Sequence, residues 1–335
     1  MATALTNPAQ FKAIADAIRA KTGETGKIVA NDFATKIAAI QTGVAKPHWK
    51  SARLTSAANW TSICYGNGWF VAVDDTTGYV ISSSNCTTWT EIPVSNPVST
   101  ICYGKSKFVA IAYDSSVAAY STDGVNWTQA TLPAMASWSS VCYGNGMFVA
   151  VASGSTTAAY STNGVNWTEV TLPGARNWSS VCYGNGKFVA VVYGSTTAAY
   201  STNGVNWAEV TLPERRNWSS VCYGNGMFVA VASGSTTAAY STDGVNWTRT
   251  TMPANLFWSS VCYGNDKFVA VVGTTETPDT SNVVAYSTDG VNWSSGRLPA
   301  SRKWTSVCYG DGKFVAVAYN SNVAAYLKDY FDEWA

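Results

Sequence analysis

A unit of about forty residues recurs down this chain, and that recurrence constrains the fold more than any other feature. Residues 138–177 read WSSVCYGNGMFVAVASGSTTAAYSTNGVNWTEVTLPGARN; the unit returns from Trp178, Trp218 and Trp258, then from Trp304 after an insertion. Two diverged copies precede it, from Trp60 and from about Val98. A spacing of about forty residues is that of four-stranded propeller blades, whereas the Gly, Thr and β-branched content excludes helical solenoids. Each unit parses into four short strands, near 138–143, 148–152, 158–161 and 167–172. Gly-Asn-Gly joins the first two and Asn163-Gly164 the last two, a hairpin signal because both turn residues need positive φ.

Tryptophan positions carry the closure. A fourth-strand Trp recurs as Trp89, Trp127, Trp167, Trp207, Trp247 and Trp293, one copy short of the seven repeat starts. The last repeat ends AAYLKDYFDEWA without a fourth strand, while HWKSARL at 48–54 matches NWTEVTL and puts Trp49 in the vacant slot. The early segment is therefore expected to complete the last blade and leave no free sheet edge. The expectation is a mainly β chain: residues 47–335 form a seven-bladed β-propeller of four-stranded blades, with 47–54 completing the last blade, and residues 1–46 form a small two-helix module. Six blades is the alternative if the first repeat is degenerate.

Residues 7–22 read as a helix capped by Asn7 and ended by Gly23, with Phe11, Ile14 and Ile18 on one stripe. A second helix at 32–42 carries Phe33, Ile37 and Ile40. Two such helices bury too little surface to stand alone, so these six residues are expected to attach the module to another surface or a sister chain.

Charged residues make up 12% of the chain, against about 25% in an average protein. Lys plus Arg number 21 and Asp plus Glu 20, so no net field recruits nucleic acid. No apolar run is long enough for a membrane helix, and no membrane insertion is expected. The N-terminus lacks a signal-like apolar core, so classical secretion is not expected and synthesis in a bacterial cytoplasm is. His48 is the only histidine, which leaves little scope for a histidine-based metal or acid–base site. Neither a metal site nor a cofactor is expected.

Seven cysteines, Cys64, Cys102, Cys142, Cys182, Cys222, Cys262 and Cys308, hold one position of the first strand and are expected to be buried thiols. Cys86 falls outside that set and is expected to be an exposed thiol.

The motif STDGVNW or STNGVNW, at 121–127, 161–167, 201–207, 241–247 and 287–293, resembles the Asp-box of sialidase-like propellers, with Gly shifted to follow Asp or Asn directly. In that family the box is a structural turn and implies no catalytic residue. A sialidase needs an arginine cluster and paired acids, and no such carboxylate pair is recognisable here, so no catalytic residue and no enzyme are expected. A propeller glycosidase acting on host polysaccharide is one alternative; a purely structural tail or surface protein is another.

FKAIADAIRAKTGETGKIVANDFATKIAAI resembles a helix–Lys-Thr-Gly–helix segment of phage and prophage tail and baseplate proteins, and the Tyr-Gly-Asn-Gly-Lys-Phe-Val-Ala-Val repeats resemble those of tail fibres. The resemblance implies a virion-attached receptor-binding protein that meets other tail or baseplate proteins through residues 1–46, assembles as a homo-oligomer and binds a host cell-surface glycan such as wall polysaccharide or teichoic acid.

In a propeller the 2–3 and 4–1 loops share one face. Hairpins of the other face barely vary here, whereas the 4–1 loops do: AMAS, GARN, ERRN, ANLF and ASRK. The candidate ligand-binding residues on that variable face are the first-strand Trp138, Trp178, Trp218, Trp258 and Trp304, as stacking platforms for sugars, with Arg176, Asn177, Arg215, Arg216, Asn217, Arg302 and Lys303 as polar partners.

Overall fold

The computed structural model describes residues 48–273 and 282–328. The chain divides into two compact units, one of residues 1–48 with 327–335 and the other Trp49–Tyr326. The expected helices, with Phe11, Ile14, Ile18, Phe33, Ile37 and Ile40, lie outside the described residues, as does most of the insertion that precedes the repeat at Trp304. Among the described residues there is no helix, and every regular element is a strand.

In the unit Trp49–Tyr326 the strands form antiparallel sheets. One runs Trp60–Gly66, Trp69–Asp74, Tyr79–Ser83, Thr90–Pro93, and another Trp258–Gly264, Lys267–Val272, Val283–Ser287, Ser294–Arg297. A third joins Trp304–Gly310, Lys313–Ala318 and Ser321–Lys328 to the first of the described strands, Lys50–Ala58. There Lys50 pairs with Tyr326 and Arg53 with Val323, so an N-terminal strand caps the edge of the C-terminal sheet.

Between these lies a sheet of eleven strands, continuous because Thr128–Gly144, Thr168–Gly184 and Ala208–Gly224 run unbroken from an outer strand into the next inner one. The segments 134–137, 174–177 and 214–217, expected to be loops, are thus extended strand. The reason is pairing: Asn177 and Arg176 lie opposite Ser153 and Ser155, and Asn217 and Arg216 opposite Tyr193 and Ser195. Backbone groups that would otherwise go unsatisfied complete a ladder across the 2–3 turn.

Second strands such as Phe188–Val192 are buried on both faces, because each sheet is sandwiched between neighbours. Val149 and Val151 of one sheet meet Phe188 and Ala190 of the next, and the same core recurs where Ile63 and Phe70 meet Val315 and Val317. Each buried Val, Ile or Phe of this core contributes roughly 1.5–3 kcal/mol.

Contacts between inner strands repeat around the unit. The ring of Tyr103 lies on Gly66, Tyr143 on Gly104, Tyr183 on Gly144, and so on until Tyr65 lies on Gly310. Hydroxyls follow the same path: Ser139 donates to the Trp178 carbonyl, Ser259 to that of Trp304, and Thr305 to that of Trp60. The succession returns to its starting strand.

The 3–4 turns explain the STDGVNW motif. Asp123 Oδ1 accepts the backbone N–H of Val125 at 2.9 Å and of Asn126 at 2.7 Å, while Ser121 Oγ accepts that of Gly124 at 2.9 Å. Asn163 makes the same pair of bonds to Val165 and Asn166, both at 2.9 Å, which is why Asn substitutes freely. In the first repeat Cys86 takes the Gly position at φ 68° and is fully buried. The expectation of an exposed thiol is corrected: a Cβ at this turn position points between sheets, as the 3.2 Å approach to Val71 at the equivalent Gly124 shows, and the Cys86 side chain fills core beside Trp89 and Val315.

These turns set an acid dependence. Asp123 titrates well below the ordinary carboxylate range, chiefly because the Asn126 N–H, its side-chain amide and the Val125 N–H stabilise the anion. Asp243 is also lowered, by the Asn246 N–H against an opposing burial, and at Asp289 burial opposes most strongly but the donors of Asn292, Val291 and Ser287 together lower the carboxyl. A carboxylate depressed in the folded state contributes stability above its unfolded value near 4 and loses it as pH falls towards the folded value. The triple variant Asp123→Asn, Asp243→Asn, Asp289→Asn, which copies the natural Asn163 and Asn203 turns, is therefore expected to show a flatter decline of melting temperature between about pH 4 and pH 2. Superimposable acid profiles for the two proteins would refute it.

Candidate functional site

The first-strand tryptophans come first, because the structure reverses their expected role. Trp138, Trp178, Trp218, Trp258 and Trp304 are all 0% exposed. Each indole N–H instead donates to a carbonyl four residues back: Trp138 to Ala134 at 3.2 Å, Trp178 to Gly174 at 3.2 Å, Trp218 to Glu214 at 3.3 Å, Trp258 to Ala254 at 3.2 Å and Trp304 to Ala300 at 3.3 Å. With no open ring face they cannot stack on a sugar. They are corrected from platforms to staples that hold the crossing between sheets.

The polar candidates divide. Arg176, Asn177 and Arg215 come together, with Tyr193, Ser195 and Thr196, around a cleft of about 330 Å³ on the face of the 2–3 turns. Arg176 approaches it from the crossing before the sheet, the 2–3 turn supplies Tyr193 to Thr196, and Arg215 closes it from the following crossing. Gly194 makes the turn at φ 74°.

Both guanidinium groups are held in place. Arg176 Nη2 lies 3.0 Å from Glu209 Oε2, while its Nε is buried without a hydrogen-bond partner. Arg215 Nε donates to the Gly194 carbonyl at 2.8 Å. Tyr193 is 45% exposed, in contrast to the tryptophans. Two cations, an open ring, an amide and two hydroxyls make a set of donors suited to a partly anionic, partly apolar molecule.

The remaining candidates lie elsewhere. Arg216 is taken up by Glu214, which also pairs with Arg249 Nε at 2.8 Å, and its own Nε donates to Thr237 at 3.1 Å. Asn217 pairs across the ladder with Tyr193 and Ser233. Lys303 Nζ sits 4.0 Å from the Tyr319 ring centroid, and Arg302 donates to the Ser301 carbonyl at 3.0 Å, both just ahead of the strand that begins at Trp304. None of these four lines the cleft.

Tyr193, Ser195 and Thr196 are not among the sequence candidates, because burial rather than residue type decides which side chains of this face are open. The signal lay in the self-alignment: residues 178–217 differ from 138–177 at six positions, and three of the six, Val192, Tyr193 and Arg215, line the cleft.

The thiols are inert packing. None of the eight cysteines forms a disulfide, and burial raises the pKa of Cys64, Cys142, Cys182 and Cys308. Among the described residues, no group of three or more His, Cys, Asp or Glu side chains is placed to hold a metal ion.

Sandwiched antiparallel sheets whose contacts return to the first strand define a β-propeller. Solved structures agree. Virginiamycin B lyase from Staphylococcus aureus matches with a TM-score of 0.74 at 12% identity, over 84% of this chain and 99% of the lyase. YCF48 from Cyanidioschyzon merolae matches with a TM-score of 0.64 at 15% identity, over 84% and 98% respectively; a second YCF48 structure, bound to a D1 peptide, gives 0.65 at 12%. No family model and no curated protein matches the chain.

The lyase corrects the expectation that this chain is not an enzyme: a propeller with the same fold is one, so the architecture gives no ground for that exclusion. At such identity the likeness carries the fold alone.

Proposed function

We propose that residues 47–335 form seven four-stranded blades, and that the chain is a host-recognition protein of a phage or phage-like particle whose propeller binds a cell-surface glycan. The blade count is supported by the Gly–Tyr contacts, which run through the seven repeat starts from Gly66 to Gly310 and back to Tyr65. Attachment to other tail or baseplate proteins falls to residues 1–46, on the resemblance of that segment to tail proteins. Several copies on one particle would raise avidity where each site is weak.

The observation that carries the binding role is the cleft around Arg176, Tyr193 and Arg215. It lies on the face where the repeats differ, and it gathers an open aromatic ring with charged and polar donors. A structural turn needs none of these side chains, whereas a saccharide uses all of them.

The labelled full chain is expected to bind Gram-positive cells and isolated walls, and to lose that binding when wall polysaccharide and teichoic acid are stripped. Absence of binding to any wall preparation, even after multimerisation, would overturn the proposal. A second reading, a glycan-cleaving propeller, draws on the enzyme among the matched folds. Release of new reducing ends from wall polysaccharide would select it.

A further inference from the structure

We propose that the cleft in the fourth blade is a single dedicated subsite for an anionic saccharide, one bearing a carboxylate or a phosphate, stacked on Tyr193 and clamped by Arg176 and Arg215. This rests on the glycan-binding reading above and gives it a location, a ligand class and a number of sites.

The repeats argue for one site. At the places taken by Arg176, Tyr193 and Arg215, the blade before has Ala136, Ser153 and Ala175, and the blade after has Arg216, Ser233 and Asn255. Only the fourth blade unites both arginines with the ring. Drift in a forty-residue unit scatters, yet half of the six exchanges between residues 138–177 and 178–217 fall on one cleft.

The cleft also selects charge. Its lining holds two guanidinium groups and no carboxylate. Glu209 restrains Arg176 from the side through Nη2, leaving the buried Nε without a partner. Arg215, tethered to the Gly194 carbonyl, loses little freedom on binding, so the clamp is formed in advance. In the same lining the half-exposed Tyr193 ring offers an apolar face, while Asn177, Ser195 and Thr196 supply donors and acceptors for hydroxyls. About 330 Å³ is at the small end of ligand pockets, a fit to one or two sugar rings rather than a long chain.

The test uses the full chain with three probes: oligogalacturonate for carboxylate, a glycerol-phosphate polymer for phosphate, and dextran as neutral control. Tyr193→Ser and Arg215→Ala restore residues the preceding blade carries at Ser153 and Ala175, so both variants should fold. Expected are salt-sensitive binding to one anionic probe, none to dextran, and a loss of about tenfold or more in affinity in each variant. The carboxylate and phosphate arms identify the source of the charge. In the reverse direction, Ser153→Tyr with Ala136→Arg and Ala175→Arg is expected to raise the stoichiometry from one site to two.

Equal affinity for dextran, or variants indistinguishable from the parent on every probe, would overturn the subsite. If those variants still bind cells, host recognition stands and uses another surface. If the parent binds the anionic probe through the cleft but no cell wall, the subsite stands and host recognition falls.

Discussion

Gly184→Ala is expected to destabilise the propeller by about 3 kcal/mol or more, lowering the melting temperature by roughly 5 °C or more. A Cβ at Gly184 would lie 1.9 Å from Cγ of Tyr223, the ring atom nearest the neighbouring backbone. Turning the ring about Cβ–Cγ leaves Cγ in place, so either Tyr223 abandons its χ1 rotamer and its packing on Phe228 or two inner strands part. Gly186, two residues on, is the control. It has φ 74° and open space around its missing Cβ, so Gly186→Ala costs only left-handed backbone strain of about 1 kcal/mol. Combining Gly184→Ala with Tyr223→Ala should recover part of the loss, because the second change removes the ring that the first strikes. Equal melting temperatures for the two single variants, or strict additivity in the double one, would show that the Gly–Tyr contacts do not hold the blades.

Trp178→Ala is expected to cost about 3–5 kcal/mol, the range for emptying a buried aromatic site, in addition to orphaning the Gly174 carbonyl. Trp178→Phe should retain much of the packing. Any Trp178→Phe protein that remains folded should bind saccharide like the parent, because its indole presents no surface. Tyr193→Ser, by contrast, should spare the fold and weaken binding. Denaturant titration paired with saccharide binding separates the two roles: if Trp178→Phe abolished binding at unchanged stability, the tryptophans would return as platforms and the cleft would lose its case.

Much of the architecture was legible because it is written in short-range chemistry. Ser121, Asp123 and the N–H groups of Gly124 to Asn126 close a turn within six residues, and the motif repeats with it. The match of HWKSARL to a fourth strand rests on local pattern too, and Lys50–Arg53 do pair with Val323–Tyr326. What pattern could not supply was the direction a side chain faces at a bulge. A register shift between Trp178 and Ser180 turns the indole inward, and the same feature recurs at Trp218 and Trp258.

For the same reason the variable segments looked like loops. Their pairing partner, the 2–3 turn, is distant in sequence, so Arg176 opposite Ser155 and Arg216 opposite Ser195 could be seen only once the strands were laid side by side.

By itself, then, the sequence determined the repeat, the turn chemistry and the β architecture, since each depends on contacts within one unit or on the hydrophobic content of its strands. The tertiary structure alone decided which aromatic rings are open, Tyr79, Tyr113 and Tyr193 among them. Burial between adjacent sheets consumes every first-strand tryptophan, while the turn at Gly194 leaves Tyr193 at the surface. It also decided which arginines meet. Arg176 and Arg215 lie in successive crossings and converge only because the strands between them fold back across one blade, whereas Arg216, one residue further on, turns towards Glu214.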